Sequence, residues 1–321
     1  MLGPRYHESS SASRFPLQLR AYRMAFENFT SGLYGAVGAL LEHGIRLWVR
    51  LTGRLVDKSD VPWLSSPIGT GGRIGNEFYR QLAEREGLQI SKSADAGLLP
   101  SFDLLKGPQF DPALVRLEIR EFYEHTARFH LEAWSETGLA SRIFMWGLVT
   151  FVSRRMDQLN FPLSPLELSA GMSSEVIELD NGQTGKRVYT GWLRTMVATG
   201  KIIYAGLYST TSPEGYAGPC VKVSFPVPQG SSTVVLRPEA AADGSFRLIS
   251  RNTRFGGPGF YRIVEQGSGK WCVRYIRTLH EVFHVYLDAE GVLRTDHIIY
   301  FLGLTVLRLH YKITPKRGTQ R

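Results

Sequence analysis

The segment from His280 to His284 spells H-E-x-x-H, a spacing with a specific chemical meaning. On an α-helix the two imidazoles lie one turn apart and can grip a single zinc ion, while Glu281 activates the metal-bound water. On a β-strand the same four-residue separation spans about 13 Å, at about 3.3 Å per residue, too far for a shared ion. The backbone conformation of this segment therefore decides what chemistry it can support.

The neighbouring residues favour a strand. Four positions within and just after the motif are β-branched or aromatic: Val282, Phe283, Val285 and Tyr286. One zincin subclass places its third ligand six residues after the second histidine, with a glycine halfway, and those positions hold Glu290 and Leu287 here. The expected cofactor is therefore none. A zinc-dependent hydrolase using His280, Glu281 and His284 stays open as the alternative.

On a strand, His280 and His284 point to the same face of the sheet. A symmetric turn would pair His297 of the following strand near Val282, diagonally within reach of both. This register predicts three histidines along one wall of a concave sheet. Because histidine exchanges protons near neutral pH, His280 and His284 are candidate catalytic groups, together with Glu281.

Other polar side chains interrupt apolar strands and are candidates for binding a ligand. A glycine-dense connection over 254–262 predicts a rim at the mouth of a cavity, where Tyr261 is a further catalytic candidate. The predicted ligand-binding residues are Trp192, Arg194, Tyr204, Lys222, Arg262 and His297.

The elements that must position these groups change character along the chain. Alanine, leucine and arginine dominate 21–52, and apolar residues recur there at helical spacing. Further helices are predicted from Asn76, as N-cap, to Glu86, from Asp111-Pro112 onward, and over 140–159. The piece 129–134 fits a helix by continuation and a strand by alternation.

After position 174 short alternating segments bounded by Gly, Pro, Asp or Asn predict antiparallel strands. Two long apolar runs, 270–287 and 292–313, flank Asp288-Ala289-Glu290-Gly291, which predicts a hairpin. The predicted fold class is α+β, with a mostly helical N-terminal half followed by a large, strongly curved antiparallel sheet forming a cup or partly closed barrel. That architecture, though no particular residue, resembles the ligand-holding cups of lipocalins and START-like proteins.

The predicted organisation is a single domain with a tail at each end. Residues 1–20 are expected to form a mobile basic tail, and 316–321 a second basic tail. Between them, 21–315 form one α+β domain, with a helical part over 21–160 and a β part over 174–313.

Composition restricts the partners. The net charge is +9, but the basic residues are scattered and no nucleic-acid-binding motif occurs, which disfavours nucleic acid. Two cysteines, Cys220 and Cys272, define no disulfide framework and fit a cytoplasmic protein. The apolar run 143–152 is too short to span a bilayer and predicts a buried helix or a peripheral contact with a membrane or partner.

These observations predict a protein that encloses a small, largely apolar molecule in the concavity of its sheet. It would act as a carrier, or as a cofactor-independent cyclase or isomerase on a polyketide- or terpenoid-like substrate. The alternatives are the zinc-dependent hydrolase and a membrane-peripheral or partner-binding protein.

Overall fold

The computed structural model describes residues 36–69, 77–136, 171–197, 199–252 and 254–316. Three α-helices lie in these ranges: α1 is helical over 36–52, α2 spans Phe78–Glu86 and α3 spans Leu117–Glu124. The strands, in chain order, are β1 Arg54–Asp57, β2 Leu88–Ser91, β3 Phe129–Glu136, β4 Met172–Asn181, β5 Arg187–Met196, β6 Ile202–Thr211, β7 Cys220–Val227, β8 Gly230–Ala240, β9 Phe246–Ile249, β10 Gly259–Gly267, β11 Lys270–Tyr275, β12 Leu279–Leu287, β13 Leu293–Phe301 and β14 Leu304–Pro315.

The strands form an antiparallel sheet whose main path runs β2-β4-β5-β6-β7-β8-β9-β12-β13-β14-β3. The sheet branches at β8, because the first half of that strand pairs with β10 and its second half pairs with β9. One branch continues through β11 to β1, and the other through β12 to β3. The predicted large antiparallel sheet is confirmed. The prediction of a partly closed barrel is wrong: the sheet is open, since within the described residues no ladder joins the terminal strands β2 and β3.

The prediction of a mostly helical N-terminal half, with helices filling 21–160, is wrong for the described residues. Between 36 and 136 the three α-helices account for only part of the described residues, which also include strands β1, β2 and β3 and several single-turn 3₁₀ helices. At Asp111-Pro112 the predicted cap forms, with the Asp111 carboxylate accepting from the Ala113 amide at 3.0 Å, but it starts only a three-residue 3₁₀ helix. Local capping signals are therefore correct, while the length of each helix is not encoded in them.

The ambiguous segment 129–134 is part of strand β3. It pairs antiparallel with β14, matching Leu131 with Ile313 and Ala133 with Tyr311. Leu131, Ile313 and Tyr311 are all buried. The long-range pairing buries an alternating apolar face, which a helix would have spread around its surface.

Several predictions fall outside the described residues. These are the basic tail 1–20, the first part of the helix predicted over 21–52, the N-cap Asn76, the helix 140–159 with its apolar run 143–152, and all of the second tail except Lys316. The C-terminal end of α2 is confirmed: Gly87 adopts a left-handed φ of 65° and donates its amide to the Ala83 carbonyl.

Helix α1 turns an apolar face outward. Its buried positions include Glu42 and Val49, whereas six large apolar residues are more than a third exposed: Leu40, Leu41, Ile45, Leu47, Trp48 and Leu51. The Arg274 guanidinium lies 5.4 Å from the Trp48 ring. None of the helices in the described ranges is both long enough and apolar enough to cross a membrane.

The main core lies between strands β4–β8 and strands β12–β14, the two limbs of the folded sheet. Phe246 of β9 is fully buried at its centre, with its ring 5.0 Å from Phe102, 5.7 Å from Phe110 and 5.4 Å from Tyr123. Arg194 of β5 reaches across to β14, completing the contact between the limbs. The segment containing α3 and the 3₁₀ helices thus caps the core with aromatic rings.

The hairpin between β12 and β13 forms as predicted but with a turn one residue longer. Asp288 accepts from the Glu290 and Val292 amides through its carboxylate, and Gly291 has a left-handed φ of 73°. Val292 therefore belongs to the turn, and the ladder starts at Leu287 opposite Leu293. This extra residue shifts every cross-strand pair by one and so changes which face each β13 side chain occupies.

Candidate functional site

A cavity of about 270 Å³ lies between strands β5–β8 on one side and β12–β14 on the other, with β10 contributing. Its lining is mostly aliphatic and aromatic, as in sites for small molecules. The apolar lining residues are Val223, Phe225, Val234, Phe260, Leu279, Phe283, Ile299, Phe301, Val306, Leu307 and Leu309. The polar ones are Arg194, Tyr204, Ser232, His280, Glu281 and His297.

Glu281 and His297 form a hydrogen-bonded pair on the cavity wall. The longer turn pairs His297 directly with Phe283 across the two strands. The His297 side chain therefore lies on the face of the sheet that carries Phe283 and Glu281, and His284 lies on the other face. His297 Nε2 lies 2.6 Å from Glu281 Oε2, and the Phe283 ring stacks on the imidazole at 3.8 Å between centroids. The prediction of three histidines on one face is therefore wrong. The face contains a carboxylate–imidazole pair instead.

Arg194 brings a buried positive charge to the same cavity. It is 6% exposed, and its guanidinium carbon lies 4.4 Å from the Trp192 ring and 4.3 Å from the Tyr204 ring. Nη1 donates to the Tyr311 hydroxyl at 3.2 Å, and Nε has no hydrogen-bond partner within the described residues. Among those residues no carboxylate oxygen forms an ion pair with it within 4.0 Å. Within the described residues, the charge is therefore held by aromatic faces and by the Tyr311 hydroxyl.

The aromatic partners do not neutralise Arg194. Burial raises the pKa of Tyr208 to about 12 and raises the pKa of Tyr204 well above its ordinary value, so both hydroxyls are uncharged at physiological pH. Desolvating an unpaired cation costs several kcal/mol. Each desolvated cation–π contact returns on the order of 2 kcal/mol, so the three rings together return an amount similar to the penalty, but they supply no negative charge to pair with the guanidinium.

A smaller cavity of about 40 Å³ also borders Arg194. Arg194 and Phe283 line both cavities, and Trp192, Tyr208 and Tyr311 are among the residues that line only the smaller one. The guanidinium is therefore at the junction between a large apolar chamber and a small aromatic one.

The H-E-x-x-H segment is extended, because His280, Glu281 and His284 all lie within strand β12. The His280 ring stacks on Tyr300, whereas His284 Nε2 lies 3.1 Å from Ser245 Oγ. The two imidazoles are thus engaged by different partners instead of converging on one point. Within the described ranges no group of three or more His, Cys, Asp or Glu side chains is arranged to hold a metal ion.

The environment of His284 should make the stability of the fold depend on pH. Burial, reinforced by Arg247, lowers the pKa of His284 below its ordinary value of 6.5. The unfolded chain therefore takes up this proton first, and the free energy of unfolding falls as pH drops through about 6.5. We expect His284→Gln to lose less stability than the wild type between about pH 7.5 and about pH 5 in urea denaturation. An exposed control, His130→Gln, should retain the wild-type slope; equal slopes for all three proteins would contradict this account.

The remaining predicted site residues lie away from the large cavity. The Tyr261 hydroxyl is buried and donates to the Gly257 carbonyl at 2.6 Å, so it fastens the glycine-dense loop. Lys222 donates to the Ser65 and Trp63 carbonyls, and burial lowers its pKa to about 8. Arg262 donates to the Ser231 and Ile263 carbonyls, and burial lowers its pKa to about 10. Lys222 lies on the face of β7 opposite the one that carries Val223 and Phe225. Arg262 lies on the same face of β10 as Phe260 but farther along the strand, where Glu42 of α1 is nearby. Tyr261 lies on the other face of β10 and packs in a separate hydrophobic cluster with Trp63 and Trp271.

Several residues of the site were not predicted from the sequence. Tyr311, the hydrogen-bond acceptor for Arg194, was visible only as part of the alternating apolar face of β14. Tyr208 and Phe283 carried no signal beyond aromatic character. Alternation identifies which face of a strand is buried, but it does not show which two faces meet around a cavity.

Comparison with known proteins adds no relative. No protein-family model matches the chain, no curated protein matches it significantly, and no solved structure does so either.

Proposed function

We propose that the protein binds a small, largely apolar molecule in the cavity between β5–β8 and β12–β14. The observation that carries the proposal is the cavity itself, about 270 Å³ of space with a lining dominated by phenylalanine, leucine, isoleucine and valine. Protein interiors are otherwise close-packed, and a void of this size forfeits contacts unless a ligand fills it. The few polar groups in the wall would orient that ligand.

Decanol is a suitable probe, since it is apolar, uncharged and flexible. Burying about nine methylene groups at about 0.8 kcal/mol each gives a favourable binding free energy of at most about 7 kcal/mol. This corresponds to a Kd on the order of 10 μM at the tightest. We expect saturable binding of one decanol per chain in isothermal titration calorimetry, with a negative heat-capacity change. Absence of saturable binding of decanol, and of any co-purified small molecule in native mass spectrometry, would refute the proposal.

The Glu281–His297 pair supports a catalytic form of the same proposal, a cofactor-independent cyclase or isomerase. A carboxylate bonded to one imidazole nitrogen orients the ring, an arrangement that suits a general base. Proton exchange at the central carbon of an alkyl β-diketone, followed by NMR in deuterated water, separates this candidate from a carrier. Acceleration by the wild type that disappears in His297→Gln supports the enzyme; no acceleration supports the carrier.

A further inference from the structure

We propose that the ligand of this cavity is an apolar monocarboxylic acid whose carboxylate pairs with Arg194. The inference rests on the proposed function and specifies the chemistry of one end of the ligand. Its basis is the junction between the two cavities, where an arginine that is 6% exposed presents hydrogen-bond donors without an acidic partner among the described residues.

Arg194 can donate more hydrogen bonds than it makes to the described residues. A guanidinium has five N–H donors in a planar fork. Within the described part of the chain, one of them bonds to Tyr311 at 3.2 Å and Nε has no partner. Carboxylates match this fork in a bidentate arrangement, and the low dielectric of the site strengthens such a pair. A neutral hydroxyl would meet one donor and leave the charge uncompensated.

The residues around Arg194 determine the orientation of the ligand in the cavity. The aromatic rings of Trp192, Tyr204 and Tyr311 approach the guanidinium and restrict its position. The larger cavity extends from Arg194 along Phe225, Phe260 and other apolar side chains. A molecule with its anionic end on Arg194 therefore places its hydrocarbon part against those residues.

Glu281 is the other charged group in the lining, and it does not supply the missing counter-ion. Its carboxylate is hydrogen-bonded to His297 on the opposite limb of the sheet, and no ion pair joins it to Arg194 within 4.0 Å. Glu281 would attract a cationic ligand whereas Arg194 would repel it, so the amine in the test series shows which of the two charges governs binding.

The test compares decanoate, decanol and decylamine at neutral pH by isothermal titration calorimetry. We expect the wild type to bind decanoate on the order of a hundredfold more tightly than decanol, with decylamine weakest. In Arg194→Met the preference for decanoate over decanol should collapse to within a few-fold. Arg194→Lys keeps the charge without the fork and should restore only part of the preference.

The outcomes separate the two proposals. If the wild type binds decanol but binds decanoate no more tightly, the carboxylate inference is overturned and the binding function stands. If neither compound binds, the binding function itself falls. The ligand series in the wild-type protein decides the question even where Arg194→Met fails to fold, and Tyr311→Phe, which removes only the hydroxyl acceptor, should keep the preference for decanoate.

Discussion

Val234→Phe is expected to weaken decanol binding at least tenfold, about 1.4 kcal/mol or more, without destabilising the fold. Val234 of β8 is 1% exposed and lines the large cavity opposite β12–β14. Overpacking a filled core costs about 1–3 kcal/mol, but here the added ring has empty space to enter. The free energy of unfolding should therefore stay within about 1 kcal/mol of the wild type, as measured by urea denaturation.

Val282→Phe is the matched control. Val282 lies on β12, on the face opposite Glu281 and Phe283, and does not line the cavity. The same increase in volume at that position should leave decanol affinity unchanged in calorimetry. Wild-type affinity in Val234→Phe would show that the ligand binds elsewhere.

Phe246→Ala should have the largest effect on stability, a loss of about 3–5 kcal/mol. The Phe246 ring is fully buried and makes edge-on or tilted contacts with Phe102, Phe110 and Tyr123, so truncation leaves a void between the sheet and its aromatic cap. A loss of this size is a large fraction of the total stability of a typical domain.

Urea denaturation followed by circular dichroism measures this loss directly. Leu104→Ala is a suitable control, because Leu104 is 46% exposed on the 3₁₀ helix that also carries Phe102. Its effect should stay within about 0.5 kcal/mol. A loss below about 1 kcal/mol for Phe246→Ala would mean that the cap does not pack on the sheet as described.

The β12–β13 hairpin shows what the sequence could predict. β-Branched and aromatic residues around His280 and His284 indicated an extended backbone, and the strand is confirmed. The sequence did not reveal whether Val292 belongs to the turn or to β13. That one residue moves His297 to the face of Glu281, because strand side chains alternate with a period of two.

The N-terminal half shows what the sequence could not predict. The end of α2 at Glu86 and the cap at Asp111 were predicted correctly, yet the cap at Asp111 starts only a three-residue 3₁₀ helix and β3 pairs with β14, far away in sequence. Local patterns do not contain that pairing, and they do not contain the branching of the sheet at β8. For the same reason Arg194 was visible as a polar residue in an apolar strand, but its lack of an acidic partner was not.

The exposed apolar face of α1 is a second surface to which decanol could bind, so a measured affinity does not show where the ligand lies. Leu40, Leu47 and Leu51 are each more than 45% exposed and offer a surface on which an alcohol chain can adsorb. Saturable one-to-one binding and its loss in Val234→Phe argue for the cavity. A method that detects ligand contact at individual residues locates the binding site more directly than affinities do.

Methyl NMR locates the bound decanol directly. The 36.0 kDa protein is labelled at isoleucine, leucine and valine methyl groups and titrated with decanol. Binding in the cavity predicts that shifts concentrate on the methyl groups of Val223, Val234, Leu307 and Leu309 and saturate together. Shifts confined to the α1 leucines, with the cavity methyl groups unchanged, would contradict the proposed function.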